Sequence, residues 1–143
     1  MGRLRTGERK KMNLQIDLSQ SGLALIFKDY QIEAMKMLWR KSEQGAEDFS
    51  LAGYGSREVW KHINKTMTTT TIPVSRDRIS RASIINFLNA MVEEGILGYT
   101  EITGKGGHRR IYSMKLDEKK FWLKIVAMTL GKLEEASGIT LRR

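Results

Sequence analysis

From residue 80 onward the apolar positions follow first one period and then another, and the change between them is the sharpest boundary in the chain. Ile84, Phe87, Leu88 and Met91 recur at i, i+3, i+4 and i+7, with Ile85 and Val92 widening the stripe. This is the spacing of one face of an amphipathic helix. Ser80 stands where its side chain can cap the first-turn amides, Ile79 and Ile84 have the spacing of a hydrophobic staple, and Gly95 supplies a left-handed terminator. The pattern therefore predicts a helix over 80–94. Its other face carries Ala82, Ser83, Asn86, Asn89, Ala90 and Glu93, so it is small and uncharged at its start and acidic only at its end. Beyond Gly95 the helical period disappears. Residues 96–102 and 110–114 are rich in strand formers, and the glycines at 104, 106 and 107 supply the reversal between them.

The rest of the chain is patterned less sharply. Leu14, Ile16 and Leu18 alternate with polar residues, as in a half-buried strand; residues 19–22 look like a turn, and 23–27 form a second apolar run. A small hairpin and a strand leading into a helix both fit. A helix is expected from about Asp29, as cap, to Lys41, burying Ile32, Met35, Leu38 and Trp39. Residues 43–55 read as a loop. Ser56 is expected to cap a short helix with Val59, Trp60 and Ile63 inward, and the threonine run and Pro73 favour extended chain over 66–73. Asp117 should cap a last helix running to about Ala136 and interrupted at Gly131.

In that last helix Phe121, Trp122, Ile125, Val126, Met128, Thr129, Leu130 and Leu133 spread over more than one face. Either it packs back on the first helix and closes the core, or it buries the surplus against a second copy of the chain. The width of the apolar surface favours the second, a homodimer held through Phe121, Trp122, Ile125, Val126, Thr129, Leu130 and Leu133. The expected organisation is a basic N-terminal extension over 1–27, a central domain over 28–115, and a dimerisation helix over 116–143.

Charge changes what the middle of the chain looks like. Of a net +9, five bases against one acid fall in residues 1–12, three against one in 75–81, and four against one in 98–115; everything else is balanced. Two of the three basic stretches flank the 80–94 helix or lie in the strands after it, which is the electrostatic footprint of a polyanion partner. Order and charge together predict a mainly α fold with a small β-hairpin wing. This is a winged helix-turn-helix in which helix 80–94 enters the major groove of double-stranded DNA and wing 98–114 lies beside it. In that arrangement Ser83 and Asn86 contact base edges, helped by Arg81 and Asn89, and the capping Ser80 belongs to the same DNA-binding set. Arg76 and Arg78 grip phosphates at the helix start, and Lys105, His108, Arg109 and Arg110 form the wing contacts.

The stretch 30–114 resembles the penicillinase-repressor family of winged-helix transcriptional regulators, within the wider group of multiple-antibiotic-resistance-type regulators. The resemblance rests on Glu33-Ala34-Met35-Lys36-Met37-Leu38-Trp39, on Ser56-Arg57-Glu58-Val59, on the run from Ser83 to Leu97, and on Ile111-Tyr112-Ser113. It implies a homodimeric repressor on a palindromic operator. Asn86 departs from the small hydroxyl residue the family commonly places there. Residues 1–27 also lie outside the pattern, as does a C-terminal region with one long helix instead of several.

Two other classes compete with this reading: a winged-helix protein–protein module, and a non-specific, chromatin-type nucleic-acid binder led by the basic N-terminus. An enzyme is not expected. The only histidines, His62 and His108, have no carboxylate pair near them at catalytic or ligand spacing. The glycine loop lacks the Gly-Lys-[Ser/Thr] spacing of a phosphate cradle. No cofactor or metal is expected, and the sequence leaves open a small-molecule effector between the last helix and the domain. No apolar run approaches the roughly 18 residues of a membrane span. The absence of cysteine fits a reducing compartment, so the expected location is the cytoplasm.

Overall fold

Local signals place the four α-helices of the described chain. The computed structural model describes residues 15–43, 53–69, 78–104 and 106–140, with backbone alone at 67–69. Helix α1 spans Asp29–Ser42, α2 Ser56–Thr69, α3 Arg81–Glu93 and α4 Glu118–Ser137. Strands β1 (Tyr54–Gly55), β2 (Leu97–Gly104) and β3 (Gly107–Met114) form one antiparallel sheet in the order β1-β3-β2. A mainly helical chain with a small three-stranded sheet is compatible with a winged-helix layout.

The expected ends of α3 are realised. Ser80 Oγ accepts from the Ser83 amide at 3.0 Å. Gly95 has a φ of 78°. Its amide and that of Ile96 donate back to the Val92 and Met91 carbonyls, a Schellman closure with Ile96 and Met91 both buried. Asp117 caps α4 by accepting from the Lys120 amide at 2.7 Å.

Several expectations are corrected. Asp29 is the first helical residue and not the cap of α1; Lys28 holds that place, its amide donating to Gln31 Oε1 at 2.9 Å. Ser56 likewise opens α2 from within, and the capping is done by Glu58, whose Oε1 accepts from the Gly55 amide at 2.6 Å. Helix α2 continues through Thr69, where extended chain was expected. A threonine costs a helix only about half a kcal/mol relative to alanine, and α2 is held by the fully buried Val59 and Ile63. Residues 70–77 lie outside the described chain. Gly131 does not interrupt α4, because glycine costs a helix interior about 1 kcal/mol and no more.

The N-terminal alternation does not form a strand. Ile16 and Leu18 are exposed, and Leu14 lies outside the described residues. Asp17 Oδ1 accepts from both the amide and the hydroxyl of Ser19, which curls the chain and holds the Asp17 carboxyl below its ordinary pKa. A 3₁₀ turn over Gly22–Leu25 then delivers Phe27 to the core.

Strand β1 falls within 43–55, where the sequence pattern predicts a loop. Tyr54 pairs with Tyr112 and Gly55 with Ile111. A Cβ at Gly53 would run into the Tyr112 carbonyl oxygen, so the absence of a side chain there lets the chain close on β3.

The core lies between α1, α2, α3, the sheet and the start of α4, and is built from Met35, Leu38, Val59, Ile63, Ile84, Leu88, Met91, Ile96, Leu97 and Phe121. Helix α4 therefore splits the set expected at a dimer interface. Phe121 and Ile125 are buried in this core and unavailable to a partner, and Trp122 packs against it. Val126 and Leu133 are exposed, together with Leu123, while Thr129 and Leu130 are half-buried.

Candidate nucleic-acid interface

Helix α3 buries Ile84, Phe87, Leu88 and Met91, and this alone turns Ala82, Asn86 and Glu93 outward into exposed positions, with Ser83 and Asn89 half-buried beside them. Between Arg81 and Asn89 the exposed positions are the small Ala82 and Asn86, with Ile85 half-buried at the edge of that face. Asn86 is exposed, so both ends of its amide can meet a base edge. Ser83 Oγ lies 2.9 Å from Ser80 Oγ, which places two hydroxyls together at the first turn.

The start of α3 is anchored by two residues of α2, Asn64 and Trp60, that are not among the expected site residues. Asn64, buried in α2, donates through Nδ2 to the Ile79 carbonyl at 3.2 Å and accepts the Ile79 amide on Oδ1 at 2.9 Å. The Trp60 indole N–H donates to the same carbonyl at 2.9 Å. Both backbone groups of the residue before the Ser80 cap are thus bound to α2. The entry angle of α3 is set by α2 whatever path the connection takes. The only sequence signal for this was an asparagine on the inward side of a helix, at i+4 from a tryptophan.

Arg81 Nη2 lies 3.4 Å from Ser56 Oγ, which brings the N-terminal ends of α2 and α3 side by side. The positive ends of both dipoles and the exposed Arg57, Arg78 and Arg81 share that region. Arg57 was not among the expected contacts. Arg76 and Lys105 lie outside the described residues.

Strands β2 and β3 pair from Leu97↔Met114 to Gly104↔Gly107, so the reversal is a two-residue loop, and the strands reach further toward the tip than the sequence indicated. Alternation along the strands separates the wing residues. His108, Arg110 and Tyr112 share one face with Tyr99 and Thr103, whereas Arg109 is on the other with Ile111 and Ser113. On the first face His108, Arg110 and Tyr112 each have a partner within the protein. His108 Nδ1 lies 3.1 Å from Thr103 Oγ1. The Arg110 guanidinium sits 3.9 Å over the Tyr99 ring, and its Nη1 donates to Asn89 Oδ1 at 3.1 Å. The Tyr112 hydroxyl donates to the same oxygen at 2.7 Å. Arg109 is exposed.

His62 Nε2 is buried without a hydrogen-bond partner, 4.0 Å from Glu33 Oε1. Among the described residues no three His, Cys, Asp or Glu side chains converge as metal ligands, and no helix is long and apolar enough to cross a membrane. No protein-family model and no curated protein matches this chain.

Proposed function

We propose that the chain is a sequence-specific, double-stranded DNA-binding transcriptional regulator of the penicillinase-repressor type, acting as a homodimeric repressor on a palindromic operator. The observation that carries this reading is the outer face of α3. Its exposed positions between Arg81 and Asn89 are the small Ala82 and Asn86, the amide of Asn86 stands at its middle, and exposed arginines bound its start with the wing beside it. Asn86 reads a base, an amide being able to pair with adenine through two hydrogen bonds. Ser83 makes a shorter contact at the first turn. Arg78 and Arg81, helped by Arg57, hold phosphates where the helix dipoles are positive.

Fluorescence anisotropy with duplex from the chain's own promoter, random duplex and RNA tests the reading. The promoter duplex should bind tightest, and Asn86→Ala should lose about tenfold on it, within the ~1–3 kcal/mol of a bidentate base contact, while leaving random duplex unchanged. With about six phosphates neutralised per dimer, affinity should fall roughly a thousandfold between 50 and 200 mM salt. Equal loss on both duplexes would remove Asn86 as a base reader. No binding to any nucleic acid would leave the protein-interaction module, and equal binding to all three would leave the architectural role.

A further inference from the structure

Asn89 has the side chain of a base reader and stands on the outer face of the proposed recognition helix, yet its geometry commits it elsewhere. Arginine can only donate, so the short contact from Arg110 Nη1 fixes which end of the amide faces the wing: it is the oxygen. The Tyr112 hydroxyl, also a donor, converges on that same oxygen. Burial raises the Tyr112 pKa above its ordinary value, partly offset by the Arg110 charge, so the phenol keeps its proton throughout the neutral range. Tyr99, directly across the ladder from Tyr112, carries the Arg110 guanidinium on its ring and completes the group. These contacts join positions 21 and 23 residues apart in sequence, one element a helix and the other a strand.

We infer that Asn89 is a positioning residue, clamping the wing to α3 through Arg110 and Tyr112, and that Arg110 serves this clamp while Arg109, on the opposite strand face, is the wing arginine left to meet phosphate. Under the DNA-reading proposal, on which the last part rests, the clamp fixes the distance between the helix in the groove and the wing on the backbone. Its amide oxygen is already doubly occupied, so Asn89 cannot make the bidentate adenine contact open to Asn86.

The test has an arm without DNA. Hydrogen exchange of the β2 and β3 amides is followed in wild type, Asn89→Ala, Tyr112→Phe and the double variant, with melting curves to establish that each is folded. Asn89→Ala should speed exchange toward the hairpin tip about tenfold, the equivalent of one or two lost hydrogen bonds. The double variant should go no further than the faster single one. Asn89→Asp, which keeps the acceptor for both donors, should restore slow exchange. Unchanged exchange in Asn89→Ala overturns the clamp whatever the DNA result.

In the second arm, Asn89→Ala should weaken promoter and random duplex by the same factor with the salt slope unchanged. Arg109→Gln should lower that slope by about one per protomer. A loss confined to one operator base pair would make Asn89 a reader and overturn the proposal. A loosened wing in a protein that binds no nucleic acid would sustain the clamp and refute the DNA reading instead.

Discussion

Replacing Phe121 by alanine is expected to lower the unfolding free energy by about 3–5 kcal/mol, a large part of the stability of a domain this size. Phe121 is fully buried. Its ring stacks on Phe27 at 5.7 Å and meets Trp39 and Trp122 edge-on at 5.5 and 5.4 Å. Phe27 in turn meets Phe87 of α3 edge-on at 5.7 Å. One side chain from the last helix thus closes the core that supports the outer face of α3, and α1 is tied to the same place by the Trp39 indole donating to the Leu116 carbonyl at 3.0 Å. Urea titration should show a lower midpoint with an unchanged slope. The loss should be the same at every protein concentration, because the contacts it removes are all within one chain. A loss under about 1 kcal/mol, or one that vanishes at high concentration, would return Phe121 to an interface between copies.

Phe121 also shows what periodicity reveals and what it does not. The sequence made α4 apolar around more than one face, and that is correct, but the pattern cannot say which face meets the chain's own core. Ile125, at i+4 from Phe121, goes with it into the core, and the remaining apolar positions are what is left for anything else. Helix ends were legible wherever the capping chemistry is local, as at Ser80, Gly95 and Asp117. They were misassigned at Asp29 and Ser56, where the residue that satisfies the first amide is a Gln or Glu reaching back from inside the helix. Strand β1 was not legible because two residues flanked by glycine carry no period, and its pairing is decided by a partner strand more than fifty residues away.

The candidate site divides in the same way. The outward face of α3 was readable, since a helix that buries Ile84, Phe87, Leu88 and Met91 has no choice about where Asn86 goes. The roles of Asn64, Asn89 and Arg110 were not, because each depends on a tertiary partner. An asparagine that binds backbone, one that binds an arginine and one that faces solvent are the same letter in sequence. The strand period separates Arg109 from Arg110, since adjacent strand residues point to opposite faces, whereas charge alone groups them.

Under the proposed homodimer, substituting Val126 and Leu133 together by glutamate is expected to leave a folded monomer. Leu123, Val126, Leu130 and Leu133 follow a 3-4-3 spacing, the seam of two packed helices. Leu123, Val126 and Leu133 are 57–60% exposed, and the seam lies on the side of α4 away from Phe121 and Ile125. Its middle is flanked by Thr129 and Ala127, both short and uncharged, so another helix can approach closely there, with Trp122 and Glu134 flanking its two ends. A helix of 20 residues is about 30 Å long, enough for an extended two-helix contact. In the monomer both substituted side chains meet water, so the stability cost should stay within about 0.5 kcal/mol. In a dimer they would place four carboxylates in one apolar seam. Sedimentation should show the mass fall by half while the melting curve of the dilute protein is unchanged. Under the proposed function the promoter affinity should drop by roughly 10²–10⁴, because the two half-sites are no longer bound by linked domains. If the wild-type chain sediments as a monomer, or the doubly substituted chain remains a dimer, the copies do not meet along this seam. Loss of mass and promoter binding together, with random-duplex affinity per protomer retained, would connect the surplus apolar face of α4 to the same function as the outer face of α3.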